Sequence, residues 1–261
     1  MFEELINTII LGLIQGLAEW LPISSTAHLK IAEQFLHLAA TPLLGVALHL
    51  GTLVVVVFYF RNDVLNILKA LAHLDFKSEH GQLIPLIVVA TIPTAIIGLV
   101  YVRFLEGTLQ ANVFITFLAI GVAFLIGATV LFASRTGKEN TDTITAVTAL
   151  VMGTAQGLAV FPGLSRSGVT ISTALLLGLK REKAFQFSFL LSITAIFGDL
   201  VVETYAQRGQ LALQTIGPAD LLIGIIVAMV AGYVAIRLVS NLVRSRRFHY
   251  FAIYTSLLGI V

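Results

Sequence analysis

Four side chains able to do acid–base or phosphate chemistry stand in two short polar stretches of an otherwise oily chain: Glu19, Ser25 and His28 in "QGLAEWLPISSTAH" (15–28), and Arg166 in "QGLAVFPGLSRS" (156–167). A carboxylate such as Glu19 can move a proton or help hold a divalent cation. Ser25 and His28, three residues apart, are neighbours on a helical turn and could serve as nucleophile and base or as two phosphate ligands. The planar fork of Arg166 suits a phosphate or carboxylate, and it could equally pair with Glu19 and hold the two stretches together. Gln15 precedes Glu19 by four residues and shares its helical face.

The two stretches are variants of one phrase, 141 residues apart. Between 12 and 26, Gly12, Gln15, Gly16, Leu17, Ala18 and Ser24 recur identically at that offset, and Trp20 and Thr26 recur conservatively as Phe161 and Ser167. Each copy is broken by proline, at Pro22 and at Pro162-Gly163, because proline lacks a backbone donor and disfavours helix just before itself. A helix resuming after each break places Ser24, Ser25 or Ser165 near an N-cap. Its free amides and positive dipole end then form an anion site, above all a phosphate site. Gln15, Ser24, Thr26, Gln156, Ser165 and Ser167 are the polar residues expected around such a substrate.

What positions these residues is a membrane fold. Of 261 residues, 57% are hydrophobic and 11% charged, and the mean hydropathy is +0.96. Windows free of Asp, Glu, Lys and Arg run through 38–60, 81–102, 107–134 and 143–165. Each can cross a hydrocarbon core of about 30 Å as a helix. Shorter ones follow at 184–198, 221–236 and 248–261. Ten-residue alternating strands are not evident, which argues against a β-barrel. The absence of cysteine excludes disulfides and thiolate chemistry.

Lys and Arg concentrate in the connections 61–80, 135–142, 180–183 and 237–247 and are sparse in 103–111 and 207–220. The positive-inside rule puts the first four in the cytoplasm and the other two outside. That assignment leaves six full crossings, at 42–60, 83–102, 112–134, 184–206, 221–236 and 248–261. Segments 5–40 and 143–179, which carry the two phrases, must each return to the side they came from, as re-entrant helical hairpins. The expected fold is therefore an all-α integral membrane protein, one domain over 1–261. Its halves, 1–134 and 143–261, form an inverted-topology repeat with a polar site near the midplane. Non-helical backbone at that depth must be buried in protein or line a wet cavity. His37, His49, His73, His80 and His249 are read as interfacial or satisfied polar residues, and Asp199 and Glu203 as an outer-rim feature.

The residues also resemble a known family. "QGLAEWLPISSTAHL" (15–29) is similar to the (E/Q)xxxE motif and following Ser-Ser-Thr-x-His of the undecaprenyl-diphosphate phosphatases, also called bacitracin-resistance proteins, and "PGLSRSGVTIS" (162–172) resembles their PGxSRSxxT motif. The likeness extends to "LHLGTLVVVV" (48–57), "FSFLLSI" (187–193) and "FAIY" (251–254). It implies an integral membrane hydrolase that converts undecaprenyl diphosphate to the monophosphate and inorganic phosphate, recycling the carrier for cell-wall glycan synthesis, with a divalent cation (Mg²⁺ or Ca²⁺) as cofactor and Glu19 as metal contact. Carried over by position, Glu19 is the second acid of the first motif. Ser25 and His28 act in phosphate attack or proton transfer, Arg166 binds the diphosphate, and Ser165, Ser167 and Thr170 flank it. Gln15 stands at the acid-or-amide position, Ala27 at a usual Gly and Thr194 at a common Pro.

The expected partners are a polyprenyl diphosphate and membrane lipids, with no nucleic acid and a homodimer left open. The expected location is the inner (plasma) membrane, multi-pass, with the site open to the outer face. A secondary transporter or lipid flippase for an anion is the alternative, since inverted repeats with broken helices are typical of transporters.

Overall fold

The computed structural model describes residues 2–38, 41–206, 208 and 216–261, and the described residues form helices joined by turns and loops, with one isolated bridge, Thr141 to Leu179. Among the described residues twelve α-helices follow in chain order: α1 (Phe2–Trp20), α2 (Ser25–Phe35), α3 (Pro42–Tyr59), α4 (Arg61–Ala72), α5 (Glu79–Val100), α6 (Glu106–Gln110), α7 (Val113–Ala133), α8 (Ala146–Leu158), α9 (Arg166–Leu176), α10 (Arg181–Ala206), α11 (Pro218–Arg244) and α12 (Phe251–Ile260). Among them, five helical stretches are long and apolar enough to cross a membrane: Pro42–Tyr59, Glu79–Leu109, Val113–Thr136, Arg181–Ala206 and Pro218–Arg244. This is an integral membrane protein of helical class.

The helices start where local chemistry tells them to. Thr41, Ser78, Asn112, Thr145 and Ser165 each accept a backbone N–H three residues on, capping α3, α5, α7, α8 and α9. Proline acts according to context. Pro85 and Pro93 lie inside α5 without ending it, while the Pro22 and Pro162 stretches do separate helices. The Glu79–Leu109 stretch bends instead through a π-helical turn at Tyr101–Leu105.

The structure differs from the sequence reading in detail. The hydrophilic connection 61–80 contains α4, and the second break opens from 159 to 165 rather than at Pro162-Gly163 alone. The 248–261 segment is short: a 3₁₀ turn at Phe248–Tyr250, then ten residues of α12. The outer connection expected at 207–220 falls largely outside the described residues.

Close packing comes from small residues. α1 lies along α11, where a Cβ on Gly16 would sit 2.5 Å from the Ala228 carbonyl oxygen. α8 lies along α5, where a Cβ on Gly153 would run into the Ala90 carbonyl. Gly12 and Gly16, like Gly153 and Gly157, are four apart, the small-xxx-small spacing that lets helices approach in lipid. α3 packs on α11 and α10 on α5, α3 meets α10, and α7 meets α12. The core between them is aromatic, with Trp20, Phe60, Phe185 and Phe189 in mutual contact.

The four basic connections meet at one end of the bundle. Lys183 pairs with Glu79 at 2.7 Å, Lys180 with Asp142 at 2.9 Å, and Glu139 receives both Arg181 at 2.8 Å and Arg246 at 3.0 Å. The Thr141–Leu179 bridge lies among them. Exposed pairs of this kind add little stability individually; their value here is to show that these four connections share a face.

Candidate active site

The two broken hairpins, α1–α2 and α8–α9, touch at their breaks, and each satisfies the other's stranded backbone groups. Ser24 Oγ accepts the Gly163 N–H at 3.1 Å. In return Ser167 Oγ donates to the Trp20 carbonyl at 2.9 Å and Ser165 Oγ lies 3.3 Å from the Leu21 carbonyl. The Trp20 carbonyl ends α1 and has no intrahelical partner, while the Leu21 carbonyl also accepts the Ile23 N–H at 2.7 Å. Side chains of one hairpin thus serve the non-helical backbone of the other.

Both turns need unusual backbone. Gly163 has φ +102, and a Cβ there would come within 2.5 Å of the Ile120 carbonyl oxygen. Ser24 has φ 68, a region a residue with a Cβ occupies only under constraint. Ser24 therefore holds the N-cap position of α2 without capping it, its hydroxyl being committed to Gly163. Ser165 does cap α9, accepting from the Gly168 N–H at 3.2 Å.

At the end of α1, Glu19 gathers the polar groups. Its Oε2 accepts from Ser25 Oγ at 2.6 Å and from Gln15 Nε2 at 3.2 Å, and its Oε1 pairs with the Arg166 guanidinium. The Glu19 side chain is only 2% exposed. A carboxylate so buried is tolerable only because it is paired and hydrogen-bonded. Arg166 reaches it from the first turn of α9, with Nη1 donating to the Ser192 carbonyl of α10 at 3.2 Å. Thr170, one turn further, is bonded to the Arg166 carbonyl at 2.8 Å and to the Ser188 hydroxyl. A small cavity lined by Glu19, Trp20, Arg166, Ser167, Ser188, Phe189 and Ser192 adjoins the pair.

The structure thus brings Gln15, Glu19, Ser25 and Arg166 into direct contact and places Ser24, Ser165, Ser167 and Thr170 around them. Three expected residues stand apart. The hydroxyl of Ser25 faces Glu19, while the ring of His28 bonds the Ser24 carbonyl at 2.8 Å and the Tyr254 hydroxyl at 2.7 Å. Thr26 is exposed. The amide nitrogen of Gln156 lies 3.4 Å from Thr94 Oγ1, on the far hairpin's own packing partner α5. Ser188 and Ser192, one turn apart on α10, belong to the site without having been singled out in the sequence. Two hydroxyls at i, i+4 inside a charge-free apolar window were the available signal. Tyr254 likewise went unnamed, although it closes the "FAIY" stretch (251–254).

Among the described residues no three His, Cys, Asp or Glu side chains cluster as a metal site. The oxygen-bearing groups at hand are the Glu19 carboxylate, the Ser25 hydroxyl and Gln15 Oε1, which is buried without a hydrogen-bond partner.

Residues 8–261 match the family described as bacitracin resistance protein BacA. The chain belongs to the BacA family. BacA relatives resemble it from end to end. An undecaprenyl-diphosphatase of Carboxydothermus hydrogenoformans is 38% identical over 97% of this chain and 94% of its own length. Those of Korarchaeum cryptofilum and Treponema denticola are 36% and 37% identical, each over 98% of this chain and 97% and 96% of their own lengths. The BacA match, over residues 8–261, includes every residue of the Glu19–Arg166 group.

Proposed function

We propose that this chain is an undecaprenyl-diphosphatase, hydrolysing the lipid diphosphate to the monophosphate and inorganic phosphate at the Glu19–Arg166 group. The observation that carries the reading is a buried guanidinium, carboxylate and hydroxyl in contact at the meeting of two broken hairpins, in a chain whose full-length relatives bear that name. Arg166 is the residue to bind the phosphates, since its fork matches phosphate oxygens bidentately. Diphosphate arrival exchanges the Glu19 partner of Arg166 for phosphate oxygens and frees the carboxylate to act as base.

In this reading the Ser25 hydroxyl attacks the terminal phosphorus. Its proton passes to Glu19 as the Oγ–P bond forms, and the bridging P–O bond breaks to release undecaprenyl phosphate. Water then splits the phosphoserine to inorganic phosphate and regenerates Ser25. Arg166 and the amides at the start of α9 stabilise charge on the transferring group, the main catalytic contribution in phosphoryl transfer. The prenyl tail lies among the helices in lipid. Glu19, Gln15 Oε1 and Ser25 would hold a hard divalent cation, Mg²⁺ or Ca²⁺; when bound it would supply positive charge against the diphosphate.

The same reading includes six crossings, two re-entrant hairpins and an inverted repeat. Its support is the pairing of elements: α1 with α11 matches α8 with α5, α3 with α11 matches α10 with α5, and the α3–α10 and α7–α12 pairs map onto themselves. The basic connections that share one face support a cytoplasmic placement of that face in the inner membrane. The substrate then reaches the site from the outer face.

The test is phosphate release from undecaprenyl diphosphate by purified protein with Mg²⁺ or Ca²⁺. Release should be lost in Arg166→Ala and Glu19→Ala and kept in His249→Ala, and a rapid acid quench of a slowed variant should trap phosphate on Ser25. No release under any of these conditions overturns the phosphatase and favours a transporter that returns its anion intact. A cysteine at Asn140 should label from the cytoplasmic side alone and one at Ala219 from outside alone.

A further inference from the structure

We infer that Tyr254, on α12, is a positioning residue for the site: its phenol anchors the ring of His28 at Nε2 and, through it, the turn that aims Ser25 at Glu19. The inference rests on the phosphatase reading above for its catalytic consequence, and on geometry alone for the anchoring.

A neutral imidazole has one nitrogen that donates and one that accepts. His28 Nδ1 lies 2.8 Å from the Ser24 carbonyl oxygen, which can only accept, so Nδ1 carries the hydrogen. Nε2 is then a bare acceptor, and the Tyr254 hydroxyl 2.7 Å away is its donor. The phenol ring stacks on the imidazole with centroids 5.8 Å apart and planes 13° from parallel, and Phe124 closes the other side edge-on at 6.0 Å. The imidazole is therefore held by a bond at each nitrogen and a ring on each side. Losing the phenol O–H leaves Nε2 without its donor and the ring held by a hydrogen bond from the Nδ1 side alone.

What the Nδ1–H bond holds is the Ser24 carbonyl, which also accepts the His28 backbone N–H at 3.2 Å. Ser24 is the strained residue of the first break, with φ 68. Such a conformation persists only where the surroundings over-determine it. Two anchors do so: the Ser24 hydroxyl is tied to Gly163, and its carbonyl to His28. The residue that leaves this turn is Ser25, whose hydroxyl meets Glu19 at 2.6 Å. A chain of contacts thus runs from the last helix of the protein to its proposed nucleophile without Tyr254 touching substrate.

The experiment is Tyr254→Phe, which deletes the hydroxyl and keeps the ring. Protein labelled with ¹⁵N-histidine in detergent micelles, at a pH where imidazoles are neutral, reports which nitrogen carries hydrogen, and comparison with His28→Asn assigns the signal. Wild type should show His28 protonated at Nδ1. In Tyr254→Phe the Nδ1–H form should persist, held by the Ser24 carbonyl, while the bare Nε2 resonance moves away from its hydrogen-bonded position and the other histidine signals stay in place, which also certifies the fold. Phosphatase kcat should fall about 2- to 10-fold with KM little changed, the size expected for one hydrogen bond. An Nε2–H tautomer in wild type, an Nε2 resonance unmoved in the variant, or an unchanged kcat overturns the inference. If wild type releases no phosphate at all, the phosphatase reading fails, and the spectra still decide whether Tyr254 holds the His28 ring.

Discussion

Removing Arg166 should unfold the site more than it unfolds the substrate's grip, and the effect can be separated by also removing the charge it neutralises. In Arg166→Met, Glu19 is left without its countercharge, 2% exposed, with only Ser25 and Gln15 as partners. Breaking a buried pair from one side costs about 3–5 kcal/mol, roughly 10 °C of melting temperature for a chain of this length. Adding Glu19→Gln removes the stranded charge while keeping an acceptor for Ser25. The double variant should melt within roughly 3 °C of wild type, because neutral replacements of a buried pair are often nearly free. The probe is built in: Trp20 is the chain's single tryptophan, buried beside Glu19 and stacked on Phe189 with centroids 5.1 Å apart. Its fluorescence on heating in detergent reports melting of this region, and phosphate release is measured on the same samples. Activity should be absent from both variants, whereas stability should return only in the double. Equal melting temperatures for the single and double variants, or a single-variant drop below roughly 3 °C, refute the buried-charge reasoning.

Further outcomes are expected elsewhere. Gly16→Ala puts a methyl 2.5 Å from the Ala228 carbonyl oxygen and 2.8 Å from Ala231 Cβ; overpacking of about 1–3 kcal/mol should appear as a lower melting temperature, with α1–α11 cysteine crosslinks weakened. Ser24→Ala and Ser24→Gly both strand the Gly163 N–H, at about 1–3 kcal/mol, but glycine relieves the positive φ. The glycine variant should therefore melt higher than the alanine variant, by about 1 kcal/mol of stability, and an alanine variant equal to or above it rules out strain at that turn. At the basic face, the bond from Lys180 holds the Asp142 carboxyl below the usual carboxylate range. Its contribution is present above the ordinary aspartate pKa near ~3.9 and is lost as pH falls through the lowered folded value. The protection of residues 141 and 142 against hydrogen exchange, taken relative to the intrinsic rate at each pH, should fall on acidification in wild type and change less in Asp142→Asn.

The membrane class and the identity of the central residues were legible because they rest on composition and on residue types that hydrocarbon does not tolerate without cause. Glu19 and Arg166 stand out in a chain with so few charges, and the repeated phrase located both hairpins. Their mutual contact, and that of Ser25 with Glu19, depends on how two breaks 141 residues apart dock, which no local pattern encodes. The Ser25–His28 spacing suggested a nucleophile and base on one turn. The left-handed backbone at Ser24, forced by the bond to Gly163, instead gives Ser25 to Glu19 and leaves His28 to Tyr254. Proline was a partial guide: Pro22 lies in a break and Pro93 inside a continuous helix, and what distinguishes them is the tertiary partner. Thr94 beside Pro93 donates to the Gly153 carbonyl of α8 at 2.8 Å, binding the two helices where the backbone is short of a donor.

The crossed packing of the hairpins has a consequence for how the protein is made. α1 finds its groove on α11, and its hairpin is closed by Tyr254 on the final helix. Because α1 precedes α11 and α12 in the chain, it is synthesised before its permanent neighbours exist, with Glu19 and the open backbone of the first break still short of partners. A nascent chain stopped before Pro218 has no seat for α1. Closure of the first hairpin waits for the two helices that follow.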